Sequence, residues 1–186
     1  VGLFELTPFS KYDLKGENVY EDLQRICTAN IKKEVGKCTY TQMLNSDGGI
    51  ETDLTVICFN ENHFRIITAA ANRERDKFHI KKHISEKTKL SDVTDEFCVL
   101  GLFGPKSRAL LEALSKDDFT NTNFKFGTGK NINIKNIEIW AQRLSYVGDL
   151  GYELYIKLSD AKKIYNLIVD EGIKFNLSHC GVHAMD

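Results

Sequence analysis

Residues 38–69, CTYTQMLNSDGGIETDLTVICFNENHFRIITA, decide the fold class. The stretch 38–44 reads as a strand, Ser46-Asp47-Gly48-Gly49 is a strong turn signal, and IETDLTVICF alternates up to Asn60. A second tight turn, NENH, hands over to FRIITAA. Alternation with period two marks strands that bury one face, and short polar breaks rich in glycine or asparagine join antiparallel neighbours. Three adjacent antiparallel strands are therefore expected. The charged segment that follows, NRERDKFHIKKHISEK, reads as a helix of roughly four turns capped by Asn72.

The same style extends outward in both directions. Upstream, KYDLK (11–15) alternates as a strand and stops at Gly16, after which Tyr20, Leu23, Gln24 and Cys27 recur at helical spacing. Downstream, FCVLGLFG (97–104) is a buried strand, and Gly104-Pro105 opens a helix with proline in its tolerated first turn and SRALLEAL as its apolar stripe. INIKNIEIWAQRLSY contains Lys135-Asn136 as a hairpin turn, and GYELYIKL alternates. SDAKKIYNLIVDEG reads as a helix with Ser159 as N-cap and Gly172 past its end. Strands in neighbouring runs with helices laid over them predict an α+β fold: mixed or antiparallel sheets covered by helices, not a doubly wound parallel sheet.

Composition narrows the function classes. The 25 Lys+Arg balance 26 Asp+Glu to a net charge of −1, so no global field draws in nucleic acid or an anionic membrane, and neither is expected as a partner. With 42% hydrophobic residues and only 2 prolines the chain is globular, long enough for one domain or two small ones sharing a core. The cysteines, Cys27, Cys38, Cys58, Cys98 and Cys180, are odd in number, widely spaced and without a C-x-x-C, which is reduced, intracellular usage. The apolar run around Val99 to Phe103 is too short to cross a bilayer, and no charged-then-apolar leader opens the chain. A cytoplasmic or mitochondrial-matrix setting is expected. Ending at Asp186 within an unfinished pattern, the sequence reads as a fragment of a longer chain.

Several suggestive patterns fail on chemistry. FGTGKN is no phosphate loop, because Phe124 stands at its first glycine and Asn131 where Ser or Thr must hold magnesium; Ile132 likewise spoils a dinucleotide fingerprint. His79 and His83 are one helical turn apart, yet Ile80 stands where a zincin needs its glutamate, so a solvated helix face is the better reading. His179, Cys180 and His183 lack an evident fourth donor, and no metal is expected. No serine sits in G-x-S-x-G.

Two carboxylates remain, each after a glycine-marked turn on a strand with one apolar face. Ile50, Thr52, Leu54, Val56 and Cys58 share a face, leaving Asp53 with Glu51, Thr55 and Ile57 on the other. Tyr152, Leu154 and Ile156 likewise oppose Glu153, Tyr155 and Lys157. Spacing alone reads both acids as surface residues.

Four ordered stretches carry a family likeness: VGLFELTPFSKYDLKG (1–16), YTQMLNSDGGIETDLTV (40–56), LGLFGPKSRALLEAL (100–114) and RLSYVGDLGYELYI (143–156). Together they resemble the folate-binding domain of the glycine-cleavage T-protein (aminomethyltransferase) family over nearly the whole chain, 1–186. In detail they look closer to the C-terminal portion of dimethylglycine and sarcosine dehydrogenases. The resemblance implies a tetrahydrofolate site and one-carbon transfer yielding 5,10-methylenetetrahydrofolate, with an aminomethyl or N-methylated glycine-derived donor. It implies FAD only in a separate flavoprotein domain of the parent chain.

By position, the family's essential aspartate, in G-G-x-x-x-D-L, falls on Asp53, and its pterin-binding glutamate, in G-[ED]-x-G-[YF]-E, on Glu153. Both residues are thereby implied as folate contacts, as are Tyr152, Tyr146, Arg65 and Ile67. A carboxylate offers two acceptors to the 2-amino and N3–H donors of a pterin edge, which suits Glu153. A carboxylate near N5 or N10 can hold the attacking amine and offset developing positive charge, which suits Asp53 as the catalytic residue. Three positions depart from the T-protein pattern: Arg65 replaces a tyrosine, Ala69 an asparagine, and Met185, followed by Asp186, stands where a folate-contacting arginine is expected. Arg65 is read as an exposed strand residue that could replace a tail contact. The alternatives are a folate-binding module without transferase activity and a folate-dependent demethylase of the same superfamily.

Overall fold

A computed structural model describes residues 1–185. After strand β1 (Gly2–Glu5) the elements run β2 (Ser10–Gly16), α1 (Val19–Ile26), β3 (Cys38–Leu44), β4 (Ile50–Asn60), β5 (His63–Thr68), α2 (Arg73–His83) and β6 (Thr88–Asp92). They continue with β7 (Phe97–Phe103), α3 (Ser107–Leu114), β8 (Gly129–Ile134), β9 (Ile137–Gln142), β10 (Gly151–Lys157), α4 (Leu158–Gly172) and β11 (Ser178–Cys180). The chain divides into two compact units, Pro8–Thr94 and the pair formed by Val1–Thr7 with the segment from Asp95 on. Each holds one sheet, so the fold is α+β as expected.

In the unit 8–94 the strand order is β3-β4-β5-β2-β6, antiparallel throughout, and the three successive strands expected from residues 38–69 are indeed neighbours. Tyr12 and Leu14, Leu54, Val56 and Cys58, and Phe64 and Ile66 form its apolar face, which packs against Val19, Leu23 and Ile26 of α1 and Ile80 of α2. The helix turns one step from the expected stripe because Asp22 also faces inward. Its carboxylate accepts from the Ser85 amide (3.0 Å), the Ser85 hydroxyl (2.8 Å) and the Thr88 hydroxyl (2.6 Å). Burial pushes this carboxyl up, but the Thr88 and Ser85 donors outweigh it and hold the group below its ordinary range.

Thr88→Val is expected to cost about 1.5 kcal/mol by removing one hydrogen bond to a charged group. Because Asp22 titrates lower in the folded than in the unfolded chain, that contribution is complete above the unfolded value and fades as pH falls through the folded one. Urea unfolding of both proteins at pH 7 and at acid pH checks it: the gap should narrow in acid.

Helix α2 has 11 residues, fewer than expected, and Asn72 makes no side-chain cap. A 3-10 turn, Ala70–Asn72, leads into the helix instead. The exit comes early because Ile84, extended and partly buried against the core, carries the chain off the axis so that Ser85 can reach Asp22.

The other unit has strand order β11-β1-β7-β10-β9-β8, antiparallel except for the parallel pair β1 and β11. Leu100 and Leu102, Ile132 and Ile134, Ile139 and Ala141, and Tyr152, Leu154 and Ile156 pack against α3 and α4. Helix α3 begins at Ser107, whose amide bonds the Gly104 carbonyl at 3.0 Å, so Pro105 lies in the turn before it. Helix α4 begins at Leu158, which puts Ser159 inside its first turn with its hydroxyl on Asp160, and Lys157 takes the cap position. Gly172 is the last helical residue, and Asn176 (φ 54°) supplies the left-handed stop after a 3-10 turn.

The β8–β9 turn is where expected, with Lys135 at φ 48° and Asn136 at φ 69°. Two left-handed residues make a type I′ turn, for which Asn-Gly is the favoured pair. Lys135→Asn with Asn136→Gly should raise unfolding stability by about 1 kcal/mol, read from the denaturation midpoint. All five cysteines are free thiols, and burial pushes the Cys27 thiol up to about 12. Among the described residues no helix is long and apolar enough to cross a membrane.

Candidate functional site

Strand β10 alternates as its sequence demands, sending Tyr152, Leu154 and Ile156 into the core and Glu153, Tyr155 and Lys157 to the opposite face. Pairing places Glu153 across from Gly101 on β7 and Gln142 on β9, and Gln142 across from Gly129 on β8. One row of the sheet therefore reads Gly101, Glu153, Gln142, Gly129: an acid beside an amide, with a glycine at each end.

Both glycines lie under aromatic rings. A Cβ on Gly101 would come within 2.7 Å of the Phe103 ring, and one on Gly129 within 2.6 Å of the Trp140 indole. Any side chain at either position would displace the ring that brackets the pair. Glu153 is half-buried, and this low-polarity setting pushes its carboxyl up to about 7, although the Tyr155 hydroxyl donates to Oε2 at 3.1 Å and pulls the other way. Gln142 is fully buried, and neither Oε1 nor Nε2 has a hydrogen-bond partner. A carboxyl poised near neutrality beside an unsatisfied amide is a set of directional polar groups in an apolar, ring-lined patch, as small-molecule sites have.

In the unit 8–94 the sheet face opposite the core carries Asp53, Thr55 and Ile57 of β4, Gln42 and Tyr40 of β3, Ile67 and Arg65 of β5, and Lys11 and Asp13 of β2. Asp53 is exposed and accepts a hydrogen bond from the Tyr40 hydroxyl at 2.9 Å. Arg65, expected to be exposed, is only 5% so. The reason is its cross-strand neighbour: Asp13 takes a fork of Nε at 2.6 Å and Nη2 at 3.1 Å, and the guanidinium lies 5.1 Å from the Phe59 ring centroid. Burial raises the Asp13 carboxyl, but His63 and Arg65 more than offset this and lower it to about 2.

The remaining expected contacts fall in three settings. Ile67 is buried on the same sheet face as Asp53. Tyr146 is 58% exposed in the loop before β10. Tyr152 points away from Glu153 because neighbouring strand residues alternate, and it is buried against Phe119 and Phe124 with its hydroxyl accepting from Arg108 Nε at 3.3 Å. Met185 belongs to the described residues; Asp186 lies outside them. In FGTGKN, Lys130 donates to the Asp118 carbonyl at 2.5 Å. His79 and His83, with ring centroids 4.5 Å apart, line a shallow cleft of ≈ 370 Å³ with Arg25 and Asn45.

Sequence reasoning missed Gln142, Trp140 and Tyr40. The alternation of IEIWAQ does put Trp140 and Gln142 on one face, but only strand pairing brings Gln142 beside Glu153.

The two-sheet α+β fold is of the kind the sequence motifs suggested. The family model described as the GCVT N-terminal domain matches residues 1–186, and the chain belongs to that family. The mitochondrial dimethylglycine dehydrogenase of Mus musculus is 32% identical over 189 residues, which is 100% of this chain and 22% of that protein. The aminomethyltransferase of Halothermothrix orenii is 30% identical over 187 residues, 100% of this chain and 52% of that protein. The crystal structure of glycine cleavage system aminomethyltransferase T from Bartonella henselae superposes with a TM-score of 0.85 at 20% identity, covering 100% of this chain and 49% of that one, and so shares the fold. The chain spans about half the length, or less, of these relatives.

Proposed function

We propose that residues 1–186 act together as the tetrahydrofolate-binding domain of a one-carbon-transfer enzyme giving 5,10-methylenetetrahydrofolate. The parent would be a dimethylglycine or sarcosine dehydrogenase-like enzyme or a T-protein-like aminomethyltransferase. Support comes from family membership, from relatives named for both activities, and above all from one observation: Glu153 is a half-buried carboxyl across the strand pair from the unpaired Gln142 amide.

These residues fit a reduced pterin. Glu153 offers two acceptors to a pair of N–H donors, and the Phe103 and Trp140 rings that bracket it suit a flat heterocycle. Tetrahydrofolate, when bound, supplies the nucleophilic amines that accept the one-carbon unit. Asp53 is assigned the catalytic role, holding one of those amines and offsetting positive charge; its hydrogen bond from Tyr40 orients the carboxylate for this. Ile67 supplies apolar contact beside it, while Arg65, committed to Asp13, supports the sheet face. The donor is an aminomethyl or N-methylated glycine-derived group, FAD belongs to a separate flavoprotein domain, and the cytoplasm or mitochondrial matrix is the compartment. Calorimetric titration of the full chain with tetrahydrofolate tests the reading: saturable one-to-one binding is expected, and no binding at millimolar ligand would overturn it.

A further inference from the structure

Gln142 is the group whose environment is least explained by the fold. Its side chain is 0% exposed, and both ends of its carboxamide lack partners. Leaving an amide buried and unpaired is costly, and leucine or methionine would fill the space without that penalty. The core does not use it, since β9 sends Ile137, Ile139 and Ala141 to the packed face and Gln142 to the other. What it adjoins is Glu153, directly across the β9–β10 pair, where opposed Cβ atoms lie about 4.5–5.5 Å apart. Gly129 on its far side adds no side chain, and the Trp140 ring lies over that glycine.

We propose that Gln142 is a second ring anchor of the site: its carboxamide pairs with a donor or acceptor of the same flat heterocycle whose N–H edge meets Glu153. The inference rests on the folate reading for the identity of the ligand and deepens it by naming the part bound, the bicyclic ring and not the tail. A carboxylate reads only donors, whereas a carboxamide also supplies N–H to an acceptor such as a ring carbonyl. The acid–amide pair therefore selects an oxo-heterocycle carrying donors and acceptors side by side. The same logic predicts how the free protein behaves, because an amide kept for a ligand is a burden without one.

The test uses Gln142→Leu in the full chain, with thermal unfolding of the free protein and titration with two probes, tetrahydrofolate and tetrahydropterin, which has the ring without the tail. Expected are about a tenfold loss of affinity for both probes and an unfolding midpoint that holds or rises. Unchanged affinity in the variant while the wild type binds would overturn the Gln142 anchor alone. A lost midpoint would mean that the amide supports the fold, and loss confined to tetrahydrofolate would place it on the tail; either also overturns the proposal. Failure of the wild type to bind either probe is a different pattern, and it removes the folate reading together with this inference.

Discussion

Asp53→Asn in the full-length enzyme should lower methylenetetrahydrofolate formation on the order of 10²-fold or more, while tetrahydrofolate affinity falls far less. Asparagine keeps the shape, the strand position and an oxygen able to accept from Tyr40, so the fold and the local hydrogen bond survive. What disappears is the negative charge. If the carboxylate holds the folate amine and offsets positive charge during transfer, the loss falls on the transition state more than on the bound state. The Asp53 side chain is itself exposed, although Ile67 and Arg65 on the same sheet face are buried, and it lies opposite the apolar face built from Leu54, Val56 and Cys58, so little stability is at stake. In a flavoprotein parent, substrate oxidation should continue and formaldehyde should accumulate in place of the folate product. Measuring both products decides the point: wild-type methylenetetrahydrofolate yield would make Asp53 an ordinary solvated strand residue.

Glu153→Gln should weaken tetrahydrofolate binding by about 1–3 kcal/mol, because one acceptor becomes a donor facing a donor. A pH signature accompanies it. Burial holds the free Glu153 carboxyl at about 7, whereas N–H donors of a ligand favour the ionised form, so binding expels a proton whenever the group starts protonated. Affinity should fall as pH drops below 7, with proton release measurable by calorimetry in buffers of different ionisation enthalpy, and both effects should vanish in Glu153→Gln. The linkage to folding has the opposite sense. A carboxyl raised above its unfolded value contributes stability below the unfolded value and loses that contribution as pH rises through about 7. An affinity independent of pH between 5.5 and 8 in the wild type would take Glu153 out of the site.

Much of this molecule was legible as a string. Period-two alternation and glycine-marked turns located the strands from Cys38 to Thr68 and the Lys135-Asn136 hairpin, because burial of one sheet face and left-handed turn geometry leave local traces. The family followed from four ordered motifs, and Asp53 and Glu153 from their positions within them. Helix ends were less legible: Asn72 and Ser159 have the chemistry of caps, yet a 3-10 turn and an earlier helix start displaced them. The fate of individual side chains required partners distant in sequence. Arg65 is buried because Asp13, 52 residues away, lies across the strand pair. The setting of Glu153 likewise depends on three strands, since Gly101, Gln142 and Gly129 meet in one row only through register. Local sequence carries the period of an element and the chemistry of a side chain; tertiary register decides which chemistries become neighbours and how much water they lose.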